Sequence, residues 1–199
     1  MKIIYTVLLL SLLFQVGNSQ TNVSGTINSN TTWNLAGSPY IVISSVTVNN
    51  GITLTVDSAV VVRFTSGQEL YIYGNLNARH TLFTSSKDTV GGSPAKGDWN
   101  FIYLGTWNAY GTATFNNCLI RYAGTATTSN HGSIHVERGT VNLISTDITF
   151  SKSYGILFSA DASITLTNSN ISSCEWPIRY GGQAPLVFNG NNNLTGGHL

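Results

Sequence analysis

From Tyr40 onward the chain alternates apolar and polar residues with a period of two. Ile41 and Ile43, Val46 and Val48, then Ile52, Leu54 and Val56 mark the first lines. After the turn Asp57-Ser58-Ala59 come Val60, Val62 and Phe64, followed by Leu70, Ile72, Leu76 and Ala78. Asn50-Gly51, Ser66-Gly67 and Gly74-Asn75 break the alternation at short intervals. Such runs, bounded by turn pairs, predict short strands with one buried face each. No stretch carries the helical period, so helix is expected to be minor.

Between Ala113 and Tyr180 the pattern repeats itself without a gap. Phe115-Asn116-Asn117-Cys118-Leu119-Ile120-Arg121-Tyr122 aligns on Leu143-Ile144-Ser145-Thr146-Asp147-Ile148-Thr149-Phe150, and on Leu166-Thr167-Asn168-Ser169-Asn170-Ile171-Ser172-Ser173. Each copy is followed by an apolar couplet: Ile134 with Val136, Ile156 with Phe158, Ile178 with Tyr180. The equivalent isoleucines Ile120, Ile148 and Ile171 are separated by steps of 28 and 23 residues, which is solenoid spacing. A sandwich of antiparallel hairpins would also use short strands. It would not require Asn117, Ser145 and Asn168, or Cys118, Thr146 and Ser169, to occupy equivalent positions. In stacked coils these become ladders of small polar side chains at one corner, and each coil buries its apolar face against its neighbours.

The line 40–64, the line 70–78, Phe83-Thr84-Ser85-Ser86-Lys87-Asp88, and Gly97-Asp98-Trp99 leading to Ile102 resemble bacterial secreted right-handed parallel β-helix proteins of the pectin-lyase-like superfamily. The likeness covers roughly 33–180. Ser58-Ala59 stands where many relatives carry Pro-Gly, Arg79-His80 replaces a longer linker, and Asn100-Phe101 replaces a Gly-Gly pair. The expected fold is an all-β, single-stranded, right-handed parallel β-helix of about six coils spanning 40–199, with its C-terminal end a candidate truncation. Residues 20–39, with Trp33 as their large apolar anchor, are expected to form a lead-in or cap. Excursions are expected at 87–98, 107–111 and 124–131, and loops on one edge of a coil are the usual place for a binding surface.

Composition narrows the function classes. Met1-Lys2 and the apolar run 3–14, with Gly17 and Ser19 before Gln20, predict a secretory signal over 1–19; a retained anchor is the alternative. Only 9% of residues are charged and the net charge is +1, so nothing electrostatic favours nucleic acid or an acidic membrane surface. Cys118 and Cys174 fall two coils apart, roughly 9–10 Å by strand spacing, and are expected to be free thiols despite the exported context.

Candidate chemistry is sparser. The resemblance implies enzymes that use carboxylate clusters, with Ca²⁺ and a basic residue in lyases or paired aspartates in hydrolases. The acids after Gln20 are Asp57, Glu69, Asp88, Asp98, Glu137, Asp147, Asp161 and Glu175, without an Asp-Asp pair. Asp147 has Leu119 and Asn170 as rung equivalents, so no acidic ladder forms there. Within 130–138, His135 is expected to point outward on a lane with Tyr103, Leu157 and Arg179. His135 or Tyr103 would then be a base and Arg179 a partner for a uronate carboxylate. His131 and His135 have metal spacing only on a helix, so no metal site is expected. Trp99 is expected to fill a corner, whereas Trp107, Tyr110 and Trp176, together with His131, are candidates for sugar contact. The pairs Thr53/Thr55, Thr112/Thr114 and Thr165/Thr167 match the outward pattern of ice-binding solenoids but do not persist from rung to rung.

The sequence therefore leads to a secreted or cell-surface β-helix that contacts carbohydrate or serves adhesion without catalysing a reaction. The rival is a polysaccharide lyase or glycoside hydrolase acting on uronate-containing glycans, with Ca²⁺ required only in the lyase case. A polysaccharide or surface glycan is the expected partner. An open last coil would allow end-to-end association.

Overall fold

The computed structural model describes residues 20–125, 131–181 and 185–197; the leader expected over 1–19 lies outside them. The strands are β1 (Thr21–Ile27), β2 (Thr31–Trp33), β3 (Tyr40–Val48), β4 (Thr53–Val56), β5 (Val61–Phe64), β6 (Leu70–Ile72), β7 (Asn75–Arg79), β8 (Leu82–Ser85) and β9 (Ile102–Leu104). They continue as β10 (Gly111–Asn116), β11 (Leu119–Arg121), β12 (Ile134–Ile144), β13 (Asp147–Thr149), β14 (Tyr154–Thr167), β15 (Asn170–Cys174), β16 (Trp176–Gly181), β17 (Leu186–Asn189) and β18 (Asn193–Gly196). Every pairing between these strands is parallel, and together they form one 18-stranded sheet wound on itself as a β-helix. The only helical element among the described residues is the single 3-10 turn Leu35–Gly37.

Each coil crosses three faces. The first face stacks the start of β1 and of β3 on β5, β8, β11, β13, β15 and β18. The second stacks the ends of β1 and β3 on β6, β9, the start of β12, the start of β14 and β16. The third stacks β2, β4, β7, β10, the end of β12, the end of β14 and β17. From Tyr40 this gives six coils, at 40–56, 61–79, 82–116, 119–144, 147–167 and 170–189, in line with the sequence reading. Residues 21–33, expected as a lead-in or cap, pair on the following coil as a coil of their own, with a register shift between Val23 and Gly25 and with Trp33 opposite Val56.

The repeat register holds at the equivalent apolar positions of the three copies. Phe115, Leu143 and Leu166 are rung partners, as are Ile120, Ile148 and Ile171, and Ile134, Ile156 and Ile178. Inward side chains such as Val62, Leu76, Ile102, Phe115, Val141 and Ile164 are completely buried. One lane differs from expectation. Tyr40 and Val42 face the core, because they pair with Val62 and Phe64, and Ile43 is left exposed at the bend before Ser44-Ser45.

The corner between third and first faces explains why the copies align without gaps. Asn117, Ser145 and Asn168 all adopt positive φ, at 52°, 47° and 50°. The left-handed region disfavours β-branched side chains and is most readily adopted, glycine apart, by residues such as Asn, so small polar residues recur at this position in the three copies. The next residue points inward and is bonded along the stack. Thr146 Oγ1 accepts from the Cys118 N–H at 3.1 Å, Ser169 Oγ from the Thr146 N–H at 3.1 Å, and Asn192 Oδ1 from the Ser169 N–H at 2.9 Å. In earlier coils Ala59 and His80 turn the same corner with φ of 65° and 46°. Trp99 fills a corner as expected: it is fully buried, stacks on Phe64 at 4.0 Å and donates from Nε1 to Arg121 O at 2.9 Å. Cys118 and Cys174 are free and buried. On the third face Thr53 and Thr112 share an outward lane with Asn75 and Ser163, and Thr55, Thr114 and Thr165 share the next with Asn77 and Asn142, whereas Thr167 falls on a further lane with Asn116 and Ile144.

Candidate functional site

The outward lane of the second face runs through Thr47, Tyr71, Tyr103, His135, Leu157 and Arg179, one residue per coil. Period-two alternation puts these side chains on the outside because their neighbours, Ile102, Leu104, Ile134 and Val136, fill the core. The rings crowd together. Tyr71 and Tyr103 lie 5.8 Å apart by centroids, Phe101 and Tyr103 6.0 Å, Tyr103 and His135 4.7 Å, and Phe101 and His131 4.4 Å. His131 and His135, joined without any helix, face each other through their Nδ1 atoms.

This crowding changes the protonation chemistry. His135 is only 8% exposed. Burial, reinforced by His131, lowers its pKa from the ordinary 6.5 to about 4. His131 shifts the same way because it is desolvated, against the opposing pull of Glu69 and Glu137. Burial, then the charge of Glu137, pushes the Tyr103 phenol up to about 12. At neutral pH the lane therefore presents uncharged imidazoles and a protonated phenol.

Arg179 does not join them. Leu157 separates it from His135, so it sits two rungs away, roughly 9–10 Å along the stack. Its Nη1 donates to the Tyr154 hydroxyl at 2.6 Å, and the guanidinium lies over the Tyr154 ring at 5.3 Å. Trp176, a rung partner of Tyr154, stands at the edge of this face where β14 and β16 begin.

A second group gathers at the corner between the second and third faces. The loop 105–110 presses on the next coil so closely that a Cβ on Gly105 would lie 1.9 Å from Arg138 O. Glycine at φ 75° thus seats the loop against β12. Trp107 and Tyr110 stand out from this loop, 82% and 61% exposed. Arg138 packs beneath them, with its guanidinium 5.7 Å from the Trp107 centroid and 4.9 Å from the Tyr110 centroid. It donates from Nε to Asp161 Oδ2 at 2.9 Å and from Nη1 to Trp107 O at 2.6 Å. Glu137 links the corner to the lane: its Oε2 accepts from Ser159 Oγ at 3.1 Å and lies 3.6 Å from His135 Nε2. Trp107, Glu137, Arg138, Ser159 and Asp161 enclose an open groove of about 150 Å³.

Sequence reasoning placed Trp107, Tyr110, His135 and Tyr103 but not Arg138, Ser159 or Asp161. A signal existed: Arg138 and Asp161 are rung partners one repeat step apart. The register shift between Val136 and Arg138 hides it, because the step does not carry straight through a bulge.

A third polar cluster is an anchor for the 87–98 excursion. Asp98 is buried and accepts from Ser85 Oγ at 2.8 Å, Lys87 Nζ at 2.7 Å and the Ala95 N–H at 2.9 Å. Burial alone would raise its pKa, but these donors outweigh it and hold the carboxyl below its usual range. Among the described residues, no three of His, Cys, Asp and Glu gather as a metal-ligand set, and no helix is long and apolar enough to cross a membrane. Compared with family models, curated proteins and solved structures, the chain matches none.

Proposed function

We propose that this β-helix is an exported, non-catalytic module of pectin-lyase-like type that contacts carbohydrate at the corner groove of Trp107, Tyr110 and Arg138. The observation that carries the reading is the exposure of two aromatic rings, stiffened from behind by one guanidinium, beside a groove with two carboxylates and a hydroxyl. Exposed aromatic rings give large contact area at low entropic cost, and flanking polar groups fix orientation. Glu137, Asp161 and Ser159 are suited to the hydroxyls of a sugar. The module acts at the cell surface or in the medium, in attachment to a glycan rather than in its turnover.

The lane of His135 supports binding better than catalysis. A lyase needs its base and its carboxylate-neutralising cation at one carbon atom. Here His135 is covered by Tyr103 and His131, and Arg179 is held on Tyr154.

The test is a panel of neutral, amino-bearing and uronate-containing oligosaccharides incubated with the chain. Binding without turnover, weakened at least about tenfold in Trp107→Ala as expected for loss of a stacking ring, supports the proposal. Unsaturated products absorbing in the ultraviolet, abolished by His135→Ala or Arg179→Ala, would establish the lyase instead. Absence of binding to every glycan would leave adhesion to a non-glycan surface.

A further inference from the structure

We infer that the corner groove prefers sugars bearing an amino group and turns away uronates; this rests on the carbohydrate reading of the same groove. Its ionised lining consists of Glu137 and Asp161 against Arg138. The chain as a whole carries +1, so this local excess of negative charge is not inherited from composition.

The guanidinium is already committed. Nε and Nη2 are both within 2.9 Å of Asp161 Oδ2, Nη1 donates to Trp107 O, and the plane lies under two rings. Guanidinium recognition of a carboxylate depends on a free fork of parallel N–H donors. A uronate would have to displace Asp161 to obtain that fork, and it would meet Glu137 on the way. Glu137, in contrast, uses only Oε2, toward Ser159 and His135. Its Oε1 has no hydrogen-bond partner among the described residues, and the side chain is 35% exposed.

The surroundings add to the same sign. His131 and His135 stay neutral at physiological pH because both are desolvated. Glu69 also lies on the second face, holding Asn100 Nδ2, and its charge helps raise the neighbouring Tyr71 phenol after the larger effect of burial. Arg179, the cation farther along the face, is bound to Tyr154. A sugar ring stacked on the outer faces of Trp107 and Tyr110 thus meets an unpaired carboxylate oxygen and no available cation. A hexosamine ammonium supplies the donor that Glu137 Oε1 lacks. A neutral N-acetyl group gives the stacking without the charge.

The experiment compares oligosaccharides of equal length: partly deacetylated chitosan, its fully N-acetylated counterpart, and oligogalacturonate, each titrated calorimetrically into the chain. The expected order is the amino form about three- to fivefold tighter than the acetylated form, the size of a partly exposed ion pair, with no measurable uronate binding. Raising ionic strength from low salt to about 1 M should erase the difference, since such pairs are screened within a few ångströms. Glu137→Gln can keep the bond to Ser159 and should bring the amino form down to the affinity of the acetylated form measured on the same variant. Asp161→Asn releases the guanidinium and should admit oligogalacturonate. Uronate binding by the native chain at or above the amino sugar overturns the inference, as does an amino preference that survives Glu137→Gln. Equal binding of amino and acetylated forms removes this inference alone. Failure of all three ligands removes the carbohydrate reading and this inference with it.

Discussion

At the scale of single residues, His135 couples the lane to pH. Its pKa falls from 6.5 to about 4 on folding, so the unfolded chain takes up a proton that the folded chain refuses. Stability is therefore full above pH 6.5 and is lost as pH drops toward the folded value. Between pH 7 and pH 4.5 the loss is expected to be about 2–3 kcal/mol. His131 adds in the same direction, Glu137 and Glu69 face the pair, and Tyr103 does not titrate in this window. His135→Leu, which repeats the Leu157 of the next rung, should flatten the profile. Urea midpoints at the two pH values check this; an unchanged slope in the variant would place the effect elsewhere. This burial was not legible in the pattern of residues. Alternation correctly sent His135 outward and register correctly named Tyr103, Leu157 and Arg179 as its lane, but the cover is completed by His131, against which Phe101 packs. Both lie outside strands, where no repeat constrains position.

At the scale of elements, what repeats was legible and what bulges was not. Thr146 was recognisable as a ladder position because Cys118 and Ser169 occupy the same place in adjacent copies. The structure shows why: its hydroxyl accepts from the Cys118 N–H and donates to Phe115 O or Ile144 O, all at a fully buried corner. Thr146→Val keeps the shape and the β-branch but strands that N–H. The variant is expected to lose about 1–3 kcal/mol in chemical denaturation, the cost of a buried donor without an acceptor. Ser169→Ala should act the same way on the Thr146 N–H. A loss below about half a kcal/mol in both would mean that water or a shifted rung takes over the bond. The corner opposite, with Arg138 on Asp161, was invisible for a matching reason. A register shift just before Arg138 changes the step from 22 residues at Ile134 and Val136 to 23 from Arg138 onward, so a count carried on from the apolar couplets misses Asp161. Pairwise alignment of strands finds cores and ladders, whereas recognition groups here occupy bulges and loops.

At the scale of the whole molecule, stacking makes stability uneven along the axis. Each coil touches only its neighbours, so opening a coil costs its own packing plus one interface. Coils between Tyr40 and Thr167 bury their inward side chains almost completely, but in the coil 170–189 Leu186 and Ile178 are only partly buried and Phe188 and Tyr180 are 48% and 46% exposed. Amides of β16, β17 and β18 should accordingly exchange first, and those of β7, β10 and the end of β12 last. Leu76→Ala, in a fully buried lane, is expected to cost about 2–5 kcal/mol, against less than about 1 kcal/mol for Leu186→Ala. The groove draws Trp107, Glu137, Arg138, Ser159 and Asp161 from the coils 82–116, 119–144 and 147–167, inside the well-packed part of the stack. Recognition should then outlast loss of the 170–189 coil: under mild denaturant that abolishes protection in β16–β18, oligosaccharide titration should still report the native affinity. Hydrogen exchange read by mass spectrometry in the same samples decides the point. Simultaneous loss of protection in all coils would show a single cooperative unit, and binding would then vanish with the first amide.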